Sequence, residues 1–561
     1  MEYGVFIDVY EKLSATKKRL EKTSILAEFL RELKQNGESD WIYLLRGKVT
    51  PDYDSRELGI STQLTMKSLS VAYGINSEKV LKDFNKSGDL GDLAERYAEQ
   101  RSQKSLFSGK LEVKKVFENI RAIMKIDGKG AVDKKIELIT ELLAFARGRE
   151  AKYIIRTLLS DLRIGVADAV LIDAIGQAFF NNDELARNLL EEKYHLANDF
   201  SLLFNASIKG KSAIEEINLL PGRPVTVMLA VKAENIEDAF RICGKPAAVE
   251  YKYDGFRVLI NKNAEVISLY TRKLENVTTQ FPDVVGAVKK YISARDFILD
   301  AEIVGYDPKS KRYLPFEAIS QRIKRKYDID KLVLNLPVEI NIFDVIYYNG
   351  ENMLSMPFID RRNILEKIIS TQKLIIRPSV LKIVKNEEEA EEFYFEALKE
   401  GEEGIMMKKL DAPYKQGRKV GYMIKLKPTI KDLDLVIVGA EYGTGKRAGW
   451  LTSYIVACKD GESYLEVGKV SSGLKEKEEE GTTYDEMTRL LKPLITSSID
   501  NQVKVKPKLV VAVTYQNMQP STSYDSGYAL RFPRITNYRP DKKLDEIATL
   551  EDIKKDINKQ R

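Results

Sequence analysis

Residues 250–257 read EYKYDGFR and lead directly into VLIN at 258–261, so a lysine and an Asp-Gly pair precede an apolar, β-branched run. Asp-Gly pairs mark tight turns, and a lysine beside such a turn is usually solvent-facing. A lone K-x-D-G would occur by chance in roughly one of several chains of this length. The meaning of this stretch therefore depends on the segments around it.

The segments that follow this turn predict strands separated by turns and helical stretches. They are VLINKNAEVISLYTR, FILDAEIVGYD, VEINIFDVIYYNGENM, EEGIMMKKL and YMIKLK. Such a mixture indicates an α+β domain rather than a parallel α/β repeat. A joint rich in proline and glycine, PGRPVTVMLA, precedes it, so we predict a domain over residues 218–428.

The segments before and after this domain differ from it in their sequence patterns. Residues 1–217 predict an all-helical domain, in which Ile136, Ile139 and Leu143 recur at helical spacing and Asp133 could cap a helix. The basic residues on these helices could track a phosphate backbone or could simply be solvated. They include Arg147, Arg149, Lys152, Arg156 and Arg163. Residues 429–561 alternate strands with Gly-rich turns, which suits a small β-barrel.

Composition sets limits on the class of protein. The chain has 561 residues, 43% of them hydrophobic, and this length indicates roughly three or four compact units. The net charge of +6 permits a nucleic-acid partner without demanding one. Two cysteines and a single histidine exclude a disulfide framework and a four-cysteine zinc site, so we expect metals on carboxylates. We expect an intracellular, cytoplasmic and nucleoid-associated protein without a secretion signal or membrane span.

Two pairs of like charges share a strand face. The strand period of two puts Asp300 and Glu302 on one face of FILDAEIV, where two carboxylates suit a cation. The same period aligns Lys425 and Lys427 in YMIKLK, where two ammonium groups repel unless an anion lies between them. Either pair alone is more often an ordinary solvent-facing strand edge.

The order of these segments is more specific than any one of them. KYDGFR, SLYTRKLENVT, LDAEIV, INIFDVIYYNG, EEGIMMKK, IKLK and RFPRITNYRPDK form a colinear series. This series resembles the ATP-dependent DNA ligases, most closely the archaeal three-domain enzymes, over essentially the whole chain. The resemblance implies a helical DNA-binding domain, an α+β nucleotidyltransferase (adenylation) domain and a C-terminal OB-fold barrel.

The resemblance also implies a reaction. Lys252 would attack the α-phosphate of ATP and form a lysyl-AMP intermediate, which then passes AMP to the 5′-phosphate at a nick. Attack by the adjacent 3′-hydroxyl would seal the strand. A lysine with its ordinary pKa near 10.4 is mostly protonated, so neighbouring cations must expose its lone pair. Arg257, Lys425, Lys427 and bound Mg²⁺ could supply that field.

The roles of the remaining site residues follow from the same resemblance. Nucleotide contacts are implied for Glu250, Arg257, Arg272, Glu302, Phe343, Arg418, Lys425 and Lys427. Of these, Glu250 would lie at the adenine end, Phe343 would stack on the ring, and the two lysines would neutralise the α-phosphate. Glu302 and Glu403 would hold Mg²⁺, with Mn²⁺ as a substitute.

Two further motifs concern other partners. In the last motif of the series, Arg531, Arg534, Arg539, Asp541 and Lys542 would orient pyrophosphate from the barrel domain. The stretch QKSLF, with Gln103, Leu106 and Phe107, resembles the motif by which archaeal ligases bind a PCNA-type sliding clamp. An ordinary loop whose two apolar residues pack internally remains the alternative. We expect a monomer that acts on nicked duplex DNA.

The chain departs from the family pattern at two places. Met423 stands where a tryptophan is common, and Arg418 and Lys419 are in the reverse order from many relatives, so either could contact the nucleotide. An RNA ligase or capping-type transferase would share Lys252 but would not need the large helical block. A non-catalytic DNA- or clamp-binding scaffold would keep the folds and lose the nucleophile. NAD is disfavoured as the donor by the two cysteines, while ADP and GTP remain open.

Overall fold

The computed structural model describes the chain except at residues 37, 55, 101–109, 326–327, 418–420, 429–431, 445–446, 448, 477–481, 516 and 561. In the part it describes, the chain forms two compact units, Met1–Leu81 with Leu90–Pro428 and Lys82–Asp89 with Thr429–Arg561. None of the helices within these ranges is both long and apolar enough to cross a membrane.

The first part of the chain is helical, as its apolar periodicity predicts. Its helices are α1 (Tyr3–Ala15), α2 (Arg19–Gln35), α3 (Thr62–Tyr73), α4 (Ser77–Ser87), α5 (Leu90–Glu99), α6 (Val113–Lys125), α7 (Ala131–Phe145), α8 (Gly148–Leu158), α9 (Asp168–Phe180), α10 (Glu184–Ala197), α11 (Phe200–Lys209) and α12 (Lys211–Glu215). The prediction that Asp133 caps a helix was wrong, because α7 begins earlier and Gly130, with φ 81°, occupies the N-cap. Asp133 lies in the first turn, where a carboxylate still favours the helix dipole.

Internal partners hold part of the basic face predicted on these helices. Lys152 Nζ lies 3.1 Å from Asp92 and 3.0 Å from Glu95, both on α5. Arg156 also pairs with Asp92, at 3.1 Å. These two cations are only 17% and 12% exposed. They join α8 to α5, which favours a structural role for them over tracking a phosphate backbone.

The central part of the chain alternates strands and helices, as predicted. Its strands are β1 (Val231–Lys232), β2 (Ala247–Tyr251), β3 (Phe256–Asn263), β4 (Val266–Thr271), β5 (Phe297–Gly305), β6 (Val338–Tyr348), β7 (Glu351–Asn352), β8 (Ile376–Pro378), β9 (Leu381–Val384), β10 (Ile405–Lys409) and β11 (Met423–Leu426). Its helices are α13 (Ile236–Cys243), α14 (Pro282–Tyr291), α15 (Phe316–Lys324), α16 (Ile329–Asn335), α17 (Phe358–Ile368) and α18 (Glu387–Lys399).

These strands form two sheets, between which the chain crosses at the EYKYDGFR stretch. One sheet has the order β1-β11-β10-β2-β9, and the other has the order β4-β3-β5-β6-β7 with β8 beside β6. The second sheet packs on α14 through Val284 and Val288 and on the preceding Phe281, in a core that includes Leu299 and Ile342. Since β2 belongs to the first sheet and β3 to the second, the residues between them lie where the sheets meet.

The last part of the chain is rich in strands. They are β12 (Leu433–Tyr442), β13 (Leu451–Asp460), β14 (Ser463–Val470), β15 (Ile495–Ile499), β16 (Gln502–Val505), β17 (Val510–Thr514), β18 (Asn517–Pro520), β19 (Tyr528–Arg531) and β20 (Arg534–Tyr538), with helices α19 (Tyr484–Leu491) and α20 (Leu550–Gln560). The main sheet has the order β14-β13-β12-β16-β15, and β17 joins β12 to β20. The predicted three-part fold class is confirmed, while closure of these strands into an OB-type barrel stays a prediction.

Candidate active site

The backbone of Lys252 is fixed by the loop that precedes β10. Its N–H donates to the carbonyl of Gly404 at 2.9 Å, and its carbonyl accepts from the N–H of Glu403 at 2.9 Å. Backbone pairing of this kind holds the two segments in one register. The side chains of Lys252 and Glu403 therefore start from fixed and adjacent positions.

Two glycines beside Lys252 are required by close backbone approach. A Cβ on Gly255 would lie 2.3 Å from the carbonyl oxygen of Ile303 on β5, and one on Gly404 would lie 2.2 Å from that of Leu426 on β11. Gly404 also has φ 142°, which side chains rarely adopt. The glycine in the Asp-Gly pair thus lets β5 approach the lysine, beyond forming a turn.

One carboxylate lies between two lysines at this loop. Glu403 pairs with Lys252, and its Oε2 lies 2.6 Å from Lys427 Nζ. Burial alone would raise the pKa of Glu403, but the two ammonium groups outweigh it and hold that pKa below its usual range. Burial, together with the charge of Lys252, lowers the pKa of Lys427. The carboxylate of Glu403 thus supplies the negative charge that the sequence predicted beside Lys427, and it also forms an ion pair with Lys252.

Glu302 is a second carboxyl group at the same place, and its pKa is shifted in the opposite direction from that of Glu403. Burial raises its pKa to about 7, although the charges of Lys252 and Arg257 act in the opposite direction. It lies directly across from Arg257 in the β3–β5 register. A buried carboxyl that titrates near neutral pH beside a lysine is a feature typical of functional sites.

Asp300, the strand-face neighbour of Glu302, already has a cation. Arg257 binds it through two hydrogen bonds, with Nε at 2.8 Å and Nη2 at 2.5 Å from its carboxylate oxygens. The hydroxyl of Tyr414 donates to Asp300 at 2.6 Å. The carboxylate pair predicted to suit a cation is therefore split, and Asp300 orients Arg257.

A cavity of about 270 Å³ opens between the two sheets around these residues. It is lined by Leu229, Ala230, Glu250, Tyr251, Lys252, Tyr253, Arg257, Arg272, Glu302, Phe343, Ser379, Met406, Lys408, Met423 and Lys425. The structure thus brings together most of the site residues predicted from the sequence. Met423, at the position where relatives often have tryptophan, is 3% exposed and forms part of the apolar wall.

Both cationic and apolar side chains line this cavity. Lys252, Arg257 and Arg272 stand among its lining residues together with Lys425, and Lys427 adjoins them through Glu403. Apolar side chains supply much of the remaining wall. They include Leu229, Ala230, Phe343, Met406 and Met423. Such a cavity suits a ligand that is anionic in one part and flat and apolar in another.

Sequence reasoning missed the residues that surround Glu250. Its Oε1 accepts from the hydroxyl of Ser379 at 2.7 Å and lies 3.5 Å from Arg362 Nη1, while its Oε2 lies 2.6 Å from Lys408 Nζ. The sequence does give an indication of Lys408, because a lysine inside the apolar strand EGIMMKK needs a partner for its charge. No local pattern indicates Ser379 or Arg362, because they lie 129 and 112 positions from Glu250 in the sequence.

The predicted residues of the last motif lie in the second compact unit. Arg531 ends β19 and is 6% exposed, and Arg534 begins β20 and is exposed. Asp541 pairs with Arg539 at 2.8 Å, and this partner lowers its pKa to about 2. Lys542 is half-buried.

Several predictions fall outside the described residues. Arg418 and Lys419 belong to the segment 418–420, so the choice between them stays open. Gln103, Leu106 and Phe107 of the clamp motif belong to the segment 101–109. Among the residues that the structure does describe, no group of three or more potential metal ligands is found.

Comparison with known proteins gives consistent matches along the chain. Residues 227–427 match the ATP dependent DNA ligase domain, residues 2–176 the DNA ligase N terminus, and residues 447–542 the ATP dependent DNA ligase C terminal region. The DNA ligase of Nanoarchaeum equitans is 45% identical over 100% of this chain and 99% of its own. That of Thermococcus fumicolans is 38% identical over 99% and 98%. A solved structure titled Pmar-Lig_PreS3 covers 95% of this chain and 99% of its own at 16% identity and a TM-score of 0.57, which supports the fold alone.

Proposed function

The chain belongs to the family of ATP-dependent DNA ligases, and we propose from this membership which of its residues carry out the reaction. The protein is a DNA ligase that uses ATP and seals nicks in DNA. An RNA ligase, a capping-type transferase or a non-catalytic scaffold is not favoured, because the relatives that match it from end to end are DNA ligases.

We assign the nucleophile to Lys252. Its Nζ attacks the α-phosphorus of ATP, an N–P bond forms, the bond to the pyrophosphate oxygen breaks, and the amine loses a proton. The AMP group then passes to the 5′-phosphate of the nick, and the 3′-hydroxyl displaces AMP to close the strand. The observation that supports this assignment is that Lys252 lines the cavity while its backbone is held by hydrogen bonds to Glu403 and Gly404.

We assign a role to each cavity residue from the charge or the ring that it carries. Arg257, Arg272 and either Arg418 or Lys419 contact ribose or phosphates. Lys425 and Lys427 neutralise the α-phosphate. Fixed cations around a reacting phosphate stabilise the transition state without reorganising. Phe343 stacks on the adenine and Glu250 faces its edge.

The carboxyl oxygens near Lys252 are suitable ligands for a hard divalent cation. Glu302 and Glu403 are half-buried carboxyl groups close to the reacting lysine, and Mg²⁺ is commonly held by one or two carboxylates together with substrate phosphates and water. We propose that these two residues hold Mg²⁺, or Mn²⁺ in its place. When bound, the ion neutralises charge on the phosphates.

The partners and the domain limits extend the same proposal. The helical domain (1–217), the adenylation domain (218–428) and the OB-fold domain (429–561) together engage nicked duplex DNA. Arg531, Arg534, Asp541 and Lys542 of the last domain orient pyrophosphate. The segment 103–107 binds a sliding clamp, and the protein is a cytoplasmic monomer. Its roles are in replication, repair and recombination.

Transfer of label from α-labelled ATP tests the assignment of Lys252. The Lys252→Arg variant keeps the positive charge but should lose covalent label, and it should fail to adenylate nicked DNA. Lys245→Arg is the matched control, since Lys245 pairs with Glu387 and does not line the cavity. Label retained on Lys252→Arg at the level of the control would remove Lys252 from its role.

A further inference from the structure

A buried charge cluster surrounds the carboxylate of Glu250. Glu250 is 1% exposed, Lys408 2%, Ser379 2% and Arg362 6%. Ser379 and Arg362 meet Oε1, and Lys408 meets Oε2. An ionised carboxylate has about four acceptor positions, so the three contacts leave one, on Oε2. Burying such a cluster is costly unless its charges compensate each other.

Lys408 connects this carboxylate to the aromatic wall of the cavity. Its Nζ donates to the backbone carbonyl of Phe343 at 3.1 Å, in addition to its pair with Glu250 at 2.6 Å. The same Nζ lies 4.7 Å from the ring centroid of Phe343 and 4.5 Å from that of Phe358. The three protons of one ammonium group thus have a carboxylate, a carbonyl and aromatic rings as partners.

The cavity itself indicates which end of a nucleotide meets Glu250. Lys252 and Lys425 suit the phosphates, whereas the ring of Phe343 suits the base. The guanidinium of Arg257 also lies 5.3 Å from the centroid of this ring. Glu250 lines the same cavity and is held by the ammonium that also holds Phe343. We therefore expect the remaining acceptor position of this carboxylate to be available to the edge of the base.

We propose that Lys408 is a positioning residue that makes the ligase select adenine over guanine, because it fixes the carboxylate of Glu250 as an acceptor beside the stacking ring of Phe343. This inference rests on the proposed nucleotide pocket around Lys252. Adenine presents an amino group at its 6-position, which donates to a carboxylate. Guanine presents a carbonyl oxygen there, which a carboxylate repels.

The selectivity depends on the positive charge at residue 408. Without it, Oε2 of Glu250 loses its partner and only Ser379 and Arg362 hold the carboxylate, through Oε1, so Oε2 is no longer fixed as an acceptor for the amino group of adenine. Sites that hydrogen-bond a substrate group discriminate strongly against analogues that cannot match it. Removing the charge should therefore reduce discrimination as well as rate.

Covalent labelling of the full-length protein tests this inference. We would measure kcat/KM for label transfer from α-labelled ATP and from α-labelled GTP in the wild type, Lys408→Met, Lys408→Arg and Lys409→Met. Lys408→Met should lower the ratio of kcat/KM for ATP to kcat/KM for GTP by about tenfold or more. Lys408→Arg keeps the positive charge and should therefore retain most of the wild-type ratio. Lys409→Met, one residue along β10 at a side chain 43% exposed, should leave the ratio unchanged.

An unchanged ratio in Lys408→Met, with both donors slowed equally, would overturn the inference and leave Lys408 a structural residue. If Lys408→Met does not fold, Ser379→Ala decides. It removes a neutral donor from Oε1, so the ratio should fall by a few fold, and an unchanged ratio would overturn the inference. Failure of the pocket itself has a different signature, namely covalent label on Lys252→Ala.

Discussion

Replacing Glu302 by glutamine should change how the protein responds to pH. Burial raises the pKa of Glu302 from 4.5 to about 7. The folded protein therefore binds a proton here that the unfolded chain releases between these two values. The difference corresponds to about 3 kcal/mol of folding free energy. This stabilisation is fully present below pH 4.5 and is lost as pH rises through about 7.

The Glu302→Gln variant cannot titrate at this position, so it escapes that loss. Its local unfolding free energy, relative to the wild type, should rise by about 3 kcal/mol between pH 4.5 and pH 8. Hydrogen exchange of β5 amides, followed by mass spectrometry at matched pH, measures this quantity within one part of a multidomain protein. Comparing the two proteins at each pH cancels the other titrating groups.

The same substitution should change the use of divalent cations. A proton and Mg²⁺ compete for Glu302, so cation affinity in the wild type should rise with pH up to about 7. The Mg²⁺ dependence of self-adenylation between pH 6 and pH 8 would show this slope, and Glu302→Gln should lose it. Glu265→Gln, at a side chain 87% exposed, is the control. Equal pH slopes in all three proteins, for both stability and Mg²⁺ dependence, would refute the reasoning.

Two further substitutions test the frame of the site. Asp344→Asn removes the partner of Arg361, which lies 2.7 Å away with both side chains 1% exposed, and should lower the unfolding free energy by about 3–5 kcal/mol. A decrease of less than about 1 kcal/mol in the local unfolding free energy, measured by hydrogen exchange of the β6 amides, would contradict this prediction. Gly404→Ala places a Cβ 2.2 Å from a backbone oxygen and should slow self-adenylation by roughly tenfold or more. Gly401→Ala, where the added Cβ meets nothing within 4 Å, should slow it less, and equal rates in the two variants would contradict the argument.

Local sequence was sufficient for the elements and for several site positions. Apolar periodicity predicted the helices before residue 217, and the strand-like segments predicted β3 to β7, β10 and β11 but not the short strands β8 and β9. The period of two placed Glu302 beside Asp300 and Lys427 beside Lys425, because side-chain direction along a strand depends only on neighbouring residues. The ordered series of motifs predicted the ligase family, which the full-length relatives confirm.

Helix limits and charge partners were less accessible to local patterns. The N-cap of α7 is Gly130 rather than Asp133, since a left-handed glycine starts the helix earlier. The sequence left open whether the basic residues of α8 track a phosphate backbone or are simply solvated, but Lys152 and Arg156 pair with acidic residues of α5. A charged helix face predicts exposure, whereas its partners depend on which helix packs against it.

By itself the sequence determined the nucleophile candidate, the strand that follows it and the reaction class, since each follows from residues close together or from their order. Only the tertiary structure decided which charges meet. Asp300 holds Arg257 across 43 positions, and Glu250 meets Arg362 across 112. Lys408 reaches Glu250 because β10 lies beside β2 in the sheet. Pairing between distant segments is set by strand order and by the burial of compensating charges, which no local periodicity records.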